Sequence, residues 1–211
     1  MVQPVPEFEL EPQDEALAEL LTNPAATGNR RNSAWNFVLE LSRPKLGRHG
    51  LRNGNDDDVG YIEVQRSGAV VFKIPLERLE NLDHEHQIQP YALLEFPVSV
   101  IRLAAKVLER WGPDASVVLV DFAFVGLRGW SLRRGSPQSP SGRFGPPPEF
   151  KEFDDLVPPK PFRFKREDLI EEPDRCGLRL ITFVYEAFGH PAKDIPPELD
   201  PGTGTLVLPP G

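Results

Sequence analysis

Tyr61-Ile62-Glu63-Val64-Gln65, then Ser67-Gly68, then Ala69-Val70-Val71-Phe72-Lys73-Ile74 is the stretch that decides the fold. Apolar and polar residues alternate through its first part. Ser67-Gly68 supplies a turn in which glycine takes a positive φ at low cost, and an apolar run returns. This is a hairpin signal. Pro75 ends the pairing because it has no N–H to donate, and residues 76–82 read as a short helix or a crossover.

Working outward, Val98, Ile101, Ala105 and Leu108 fall at helical spacing. Val100, Ala104, Val107 and Trp111 widen that face, and Arg102, Lys106, Glu109 and Arg110 gather opposite it. A long helix is expected between Pro90 and Trp111, stopped by Gly112-Pro113, with Pro97 at a first turn or a kink. Residues 117–125 form a near-continuous apolar run, expected as one buried strand with Asp121 the odd member. Gly126-Leu127-Arg128-Gly129-Trp130 turns the chain. Leu178, Ile181, Val184, Tyr185 and Phe188 share helical spacing, and Gly189 and Pro191 close that helix. A strand is the alternative there, since Ile, Thr, Phe, Val and Tyr favour sheets. The pattern reads as α+β: a small antiparallel sheet, made of the hairpin and the Val117 strand, covered by two helices (90–111 and 177–188), with long Pro/Gly-rich extended arms.

The flanks read differently. Residues 1–11 are rich in Pro and Glu and are expected extended or disordered. Residues 12–21 form a short helix with Leu17, Leu20 and Leu21 on one face. The organisation expected is 1–28 as an acidic N-terminal arm and short helix, and 29–134 as the α+β core. Residues 135–172 are a Pro-rich wrapping segment, 173–191 a helix that completes the core, and 192–211 a tail. Asn53-Gly54-Asn55-Asp56-Asp57-Asp58 is a loop by composition. Phe144, Phe150, Phe153 and Phe162 recur through the Pro-rich part, which suits docking on something apolar.

Twenty-four prolines confine regular structure to a few elements. A net charge of −8 argues against wholesale binding to nucleic acid or an anionic membrane. The single cysteine, Cys176, rules out an internal disulfide and fits a reducing compartment. No apolar run is long enough to span a bilayer, and residues 1–10 lack the basic and apolar regions of a signal peptide. The expectation is a cytoplasmic protein without membrane contact.

In the order Tyr61-Ile62-Glu63-Val64 with Ser67-Gly68, Tyr91-Ala92-Leu93-Leu94-Glu95, the 117–124 strand with Val125-Gly126-Leu127-Arg128-Gly129-Trp130, and Tyr185-Glu186-Ala187-Phe188-Gly189, residues 60–189 resemble a bacterial protein region. It is the region C-terminal to the DNA-binding module in proteins of the Schlafen/AlbA type. The N-terminal module of those proteins, with its glutamate and acidic-aromatic-Lys signature, has no counterpart here. The resemblance therefore implies an accessory or partner-contacting domain, with no catalysis.

Several constellations carry candidate chemistry. Arg30, Arg31 and Arg48 with Trp35, joined by Arg128, Trp130 and Arg133, make a basic-aromatic set that could neutralise phosphates and stack bases. The alternative for the first group is a solvated face. For Arg128 and Trp130 it is a tight turn, with Arg128 paired to an acid such as Asp121 and Trp130 packed in the core. Asp83-His84-Glu85-His86 places both imidazoles on one side of a strand, with His49, His190 or Asp121 as a third ligand; a polar loop is the competing reading. Asp56-Asp57-Asp58 lacks the glycine pivot and closing glutamate of an EF-hand. Arg175 beside Cys176 could lower the thiol pKa, against a plain buried side chain. There is no nucleophile elbow, phosphate loop or dinucleotide fingerprint, so no catalytic set, metal or cofactor is expected. The functions expected are a non-enzymatic interaction or assembly domain with a protein partner. The alternative is a nucleic-acid-binding accessory protein, and more distantly a metalloprotein or enzyme through His84 and His86.

Overall fold

The structure, a computed structural model, describes residues 1–23, 43–55, 60–81, 84–132, 155–196 and 206, without the side chains of Asn55, Asn81 and His84. The strands are β1 (Val2–Val5), β2 (Lys45–Leu46), β3 (Gly50–Asn55), β4 (Gly60–Gln65) and β5 (Val70–Lys73), then β6 (Glu80–Asn81), β7 (His84–Ile88), β8 (Val117–Val120), β9 (Ser131–Leu132) and β10 (Phe162–Lys165). The helices are α1 (Glu15–Thr22), α2 (Pro90–Trp111), α3 (Arg166–Glu171) and α4 (Pro173–Ala187). The fold is α+β. Seven strands pair antiparallel in the order β10-β8-β1-β5-β4-β3-β2, and β6-β7-β9 make a second, three-stranded sheet in which β9 runs parallel to β7.

Directly paired residues share a face of a sheet. Val2, Val70 and Val120 lie side by side, as do Ile62 with Phe72 and Leu51 with Val64. This inner face meets the apolar side of α2, whose Leu93, Leu94, Ile101 and Leu108 are almost fully buried. Helix α4 packs on α2 at Gly177, where an added Cβ would lie 2.8 Å from Val98 Cγ2; only glycine allows this approach. Arg102 of α2 and Asp174 in the first turn of α4 pair at 2.5 Å, and the Leu206 N–H donates to the same carboxylate. Among the described residues no helix is long and apolar enough to cross a membrane.

The hairpin and the 90–111 helix lie where the sequence places them. Other expectations need correction. Residues 1–11 are not a loose arm: β1 lies inside the sheet between β8 and β5, with Val2 at 2% exposure. Pro4 is tolerated there for a geometric reason. Asp121 donates its N–H to the Met1 carbonyl and Ser116 donates to Val5, so residues 1, 3 and 5 face β8. Alternation turns residues 2 and 4 toward β5, and β5 pairs with β1 only at Val2. The N–H that Pro4 lacks would have had no ladder partner.

The run 117–125 is not one strand. It stops at Val120, and beyond Asp121 only Phe124 bridges, to Leu156. Asn53–Asn55 belong to β3 instead of a loop, because the buried Asn53 side chain donates to Leu21 O at 2.9 Å and ties β3 to α1. Residues 162–171, expected in the wrapping segment, form β10 and α3. Residues 76–81 give a 3-10 turn at Leu76–Leu79 and then β6. Helix α4 starts at Pro173, where the 173–191 segment was expected to begin and ahead of its apolar spacing from 177, since proline suits a first helical turn.

Candidate functional site: an apolar cleft in line with β1

The basic-aromatic residues named from the sequence do not converge. Arg30, Arg31, Trp35 and Arg133 lie outside the described residues, as do Asp56, Asp57, Asp58 and the aromatics Phe144, Phe150 and Phe153. Arg48 is exposed in the turn between β2 and β3, beside the β4–β5 hairpin turn, since His49 O accepts from the Arg66 N–H. Arg128 is exposed in the turn after β8. Because β5 and β8 both run antiparallel to β1, the chain leaves β8 at the Lys73 end of the sheet. Arg48 and Arg128 therefore sit at opposite ends of the sheet and near opposite edges.

Trp130 is not an exposed stacking wall. It is 6% exposed, its N–H closes the turn onto Leu127 O at 2.9 Å, and its ring lies 5.4 Å from that of His86. Within the turn Gly126 and Gly129 have φ of 75° and 82°.

Of the candidate metal ligands, Asp83 and the His84 side chain lie outside the described residues; among the described residues no group of three or more His, Cys, Asp or Glu could hold an ion. His86 lies on a strand, β7, where a polar loop was the alternative. It is exposed, with φ 55°, and its N–H donates to the Glu80 carboxylate. His190 is buried with Nε2 3.0 Å from Leu132 O and Nδ1 3.6 Å from Asp194. His49 lies in the Arg48 turn. Burial, then the neighbouring Asp168, pushes the Cys176 thiol up to about 12, and Arg175 is too weak a counterweight to activate it.

What the fold does build is a cleft of about 430 Å³ at the Lys73 end of the sheet. Its size falls in the range of ligand-binding pockets, roughly 300–1,000 Å³. One wall is the end of β5 with Phe72 and Ile74. The other is the run Asp121–Val125, with Phe122 and Phe124. The floor is α2, through Phe96 and Pro97. Aromatic packing holds the walls. Phe72 and Phe96 stack at 5.6 Å, and Phe122 packs against Phe124, Phe162 and Phe183 at 5.8–6.0 Å. Pro97 sits inside α2 and supplies no N–H, so the Leu93 carbonyl loses its helical donor; both residues line the cleft. Lys73 and Asp121 are the charged side chains of the lining. Val125, 69% exposed, and Met1, 44% exposed, rim the mouth.

The cleft also has open backbone. Phe124 exchanges N–H and C=O with Leu156 at 3.0 and 2.9 Å, on the side away from β1, and Asp121 bonds toward β1. By alternation Ala123 and Val125 face the cleft. On the other wall Gln65 N–H bonds Ala69 O, which turns Ala69, Val71 and Lys73 toward β4 and Ile74 toward the cleft. Among the described residues the backbone groups of Ile74, Ala123 and Val125 make no hydrogen bond.

The sequence did not single out this site. Its nearest signals were Asp121 interrupting an apolar run and Pro75 ending β5, each explicable as a strand end. No family model, no curated protein and no solved structure matches this chain.

Proposed function

We propose that this chain is a non-enzymatic interaction domain of the bacterial cytoplasm, and that it holds a partner protein through the cleft between β5 and Asp121–Val125. The observation that carries the reading is an apolar cavity of about 430 Å³ whose rim exposes Val125 at 69%. Exposed apolar residues at the mouth of a concave apolar site suit an incoming apolar side chain. The charged groups of the lining are Lys73, Asp121 and the Met1 terminal ammonium, which donates to the Asp121 carbonyl at 2.5 Å. The similarity of residues 60–189 to the region beside the Schlafen/AlbA DNA-binding module supports the same partner-contacting role.

A photo-reactive p-benzoylphenylalanine placed at Val125 and, in a second protein, at Arg48 tests this in cell extract. A protein cross-linked from position 125 and absent from position 48 supports it. Equal cross-linking from both positions, or none from 125, sinks it.

A second reading, a nucleic-acid-binding accessory protein, is favoured by the outer face of the seven-stranded sheet. The register puts Lys73, Arg163 and Lys165 there, all exposed. Arg52 shares that face but is held by Glu63 at 2.6 Å. Fluorescence anisotropy with single-stranded and duplex DNA checks it. Binding that weakens steeply with salt supports the reading, and no binding at low salt removes it.

A further inference from the structure

We propose that the outer edge of β10 is a docking strand for an acidic, extended segment of a partner protein. The segment adds to the sheet antiparallel to β10, with acids opposite Arg163 and Lys165 and apolar residues opposite Phe162 and Phe164. This surface is separate from the cleft, and the inference stands whether or not the cleft holds a partner.

The backbone supplies the form. Strand β10 ends the seven-stranded sheet and, among the described residues, pairs with β8 alone. The Arg166 N–H bonds Ser116 O at 3.1 Å, so alternation turns Phe162 and Phe164 toward β8 and Arg163 and Lys165 outward. The Arg163 N–H and C=O and the Lys165 N–H make no hydrogen bond among the described residues. The Lys165 carbonyl lies at the N-cap of α3, where the edge ends. At the other end Pro158, Pro159 and Pro161 have no N–H to offer. The open stretch is β10 itself, and an extended segment of the same length covers it.

The side chains supply the chemistry. Phe162 and Phe164 share the inner face with Val120 and Val118, which leaves Arg163 and Lys165 on the outer face, both exposed. Cross-strand neighbours lie about 5 Å apart, so two cations on one face select acids at alternate positions of the incoming strand. Arg179, also exposed, holds its guanidinium 4.7 Å from the Phe164 ring and adds a further cation beside the edge. The acids that follow, Glu167 and Asp168, belong to α3, past the last open N–H. On the inner face the half-buried Phe162 packs against Phe183 at 5.9 Å and offers an apolar step to the residue between the two acids and to the one after them.

The same features disfavour other occupants. A second copy pairing edge to edge about Arg163 would set like charges directly opposite one another. A nucleic acid brings phosphates to the cations, yet a phosphodiester has no donor for the Arg163 carbonyl. An extended acidic peptide satisfies the backbone and the cations together.

The test uses the full chain and a dye-labelled peptide, acetyl-Ser-Glu-Val-Glu-Val-Ser-amide, read by fluorescence anisotropy. In the proposed register the second Glu faces Arg163 with its N–H toward the edge, and the first Val points its N–H away. Saturable binding is expected, with at least about a tenfold loss on N-methylating the second Glu and less than about threefold on N-methylating the first Val. A probe with Lys in place of both Glu should lose to the parent peptide on the natural chain and win on the protein carrying Arg163→Glu and Lys165→Glu. Equal losses from the two methylations, or an unchanged charge preference in that double variant, overturn the proposal. No saturable binding by about 1 mM overturns it as well. In that event the same assay with single-stranded DNA, and light scattering, show whether nucleic acid or a second copy holds the edge instead. The cleft reading is judged separately, by its cross-link from position 125.

Discussion

The two ends of the seven-stranded sheet are built oppositely. At the hairpin end the backbone is closed off. Phe8 and Leu10 donate to Ser67 and Arg66, Ser116 donates to Val5, and the Arg166 guanidinium bonds the Gly112 and Leu108 carbonyls that end α2. The Phe8 ring fills the remaining space between Gly68 and Gly112. At the Lys73 end Ile74, Ala123 and Val125 keep unused backbone groups among the described residues, and the space between the flanks is a cavity. The contrast separates residues that hold the fold together from residues that leave it able to receive something. Substitutions at the two ends should therefore differ sharply in their cost.

The largest effect is expected from Gly68→Ala. Its φ is 77°, and an added Cβ would lie 2.2 Å from the Phe8 ring, which cannot swing aside without meeting Gly112. The left-handed backbone costs a side chain roughly 1–2 kcal/mol and overpacking adds about 1–3 kcal/mol. A loss of about 3 kcal/mol in urea unfolding is expected, with a Tm lower by roughly 6–12 °C for a chain of this size. A loss under 1 kcal/mol would show that the hairpin end is as yielding as the other.

Arg166→Ala comes next. The guanidinium donates to Gly112 O at 2.9 Å and Leu108 O at 3.1 Å, adding a charged donor to carbonyls that otherwise accept only from the Ala115 and Gly112 N–H groups at the end of α2. Hydrogen bonds to a charged donor and the favourable cation at a helix C-terminus suggest a cost of about 2 kcal/mol. Arg166→Lys should recover less than half of it, because one ammonium does not reproduce the two-pronged contact.

Asp14→Ala should cost about 1 kcal/mol. Its carboxylate caps α1 through the Ala16 N–H at 2.8 Å and accepts from the Trp111 indole at 2.9 Å, which ties α1 to the end of α2. The same bonds, the Ala16 N–H first, hold the Asp14 pKa below its ordinary 3.8. A depressed carboxylate pKa stabilises the fold fully above the ordinary value and loses that contribution as pH falls below it. Thermal melts from pH 6 down to about pH 2 should show the Asp14→Asn protein losing less stability than the parent across the acid limb. Parallel acid limbs would disconnect Asp14 from the closed end.

Much of this contrast was beyond reading from residues alone. The Pro90–Trp111 helix was legible with its bounds, because its apolar spacing is local and Gly112-Pro113 stop it. The hairpin was legible for the same reason. The strand β1 was not, since Pro4 and Pro6 argue against a central strand. Only the register shows that Pro4 faces a position where no ladder bond exists. The basic-aromatic grouping failed differently: shared composition says nothing of distance, and the sheet carries Arg48 and Arg128 to opposite ends. The cleft needs β5, residues 121–125 and the middle of α2 together, three segments whose meeting is long-range. Asp121 was noticed as odd in its run, yet its meaning, a strand leaving its neighbour, exists only once β1 is in place.

The smallest effects are expected at the open end, and they form the sharpest control. Gly126 has φ 75°, close to that of Gly68, but an added Cβ meets nothing within 4 Å. Gly126→Ala should therefore carry the backbone term alone, about 1 kcal/mol. The difference between the two glycine variants then measures what the Phe8 wedge contributes. Val125→Ser should change stability by less than about 0.5 kcal/mol, because the side chain is 69% exposed. A protein that tolerates Val125→Ser in urea unfolding, and that captures a partner when p-benzoylphenylalanine stands at 125, has a cleft kept open for recognition. A protein that unfolds more readily with Val125→Ser than with Arg166→Ala uses that valine to close its core, and the contrast between the two ends collapses.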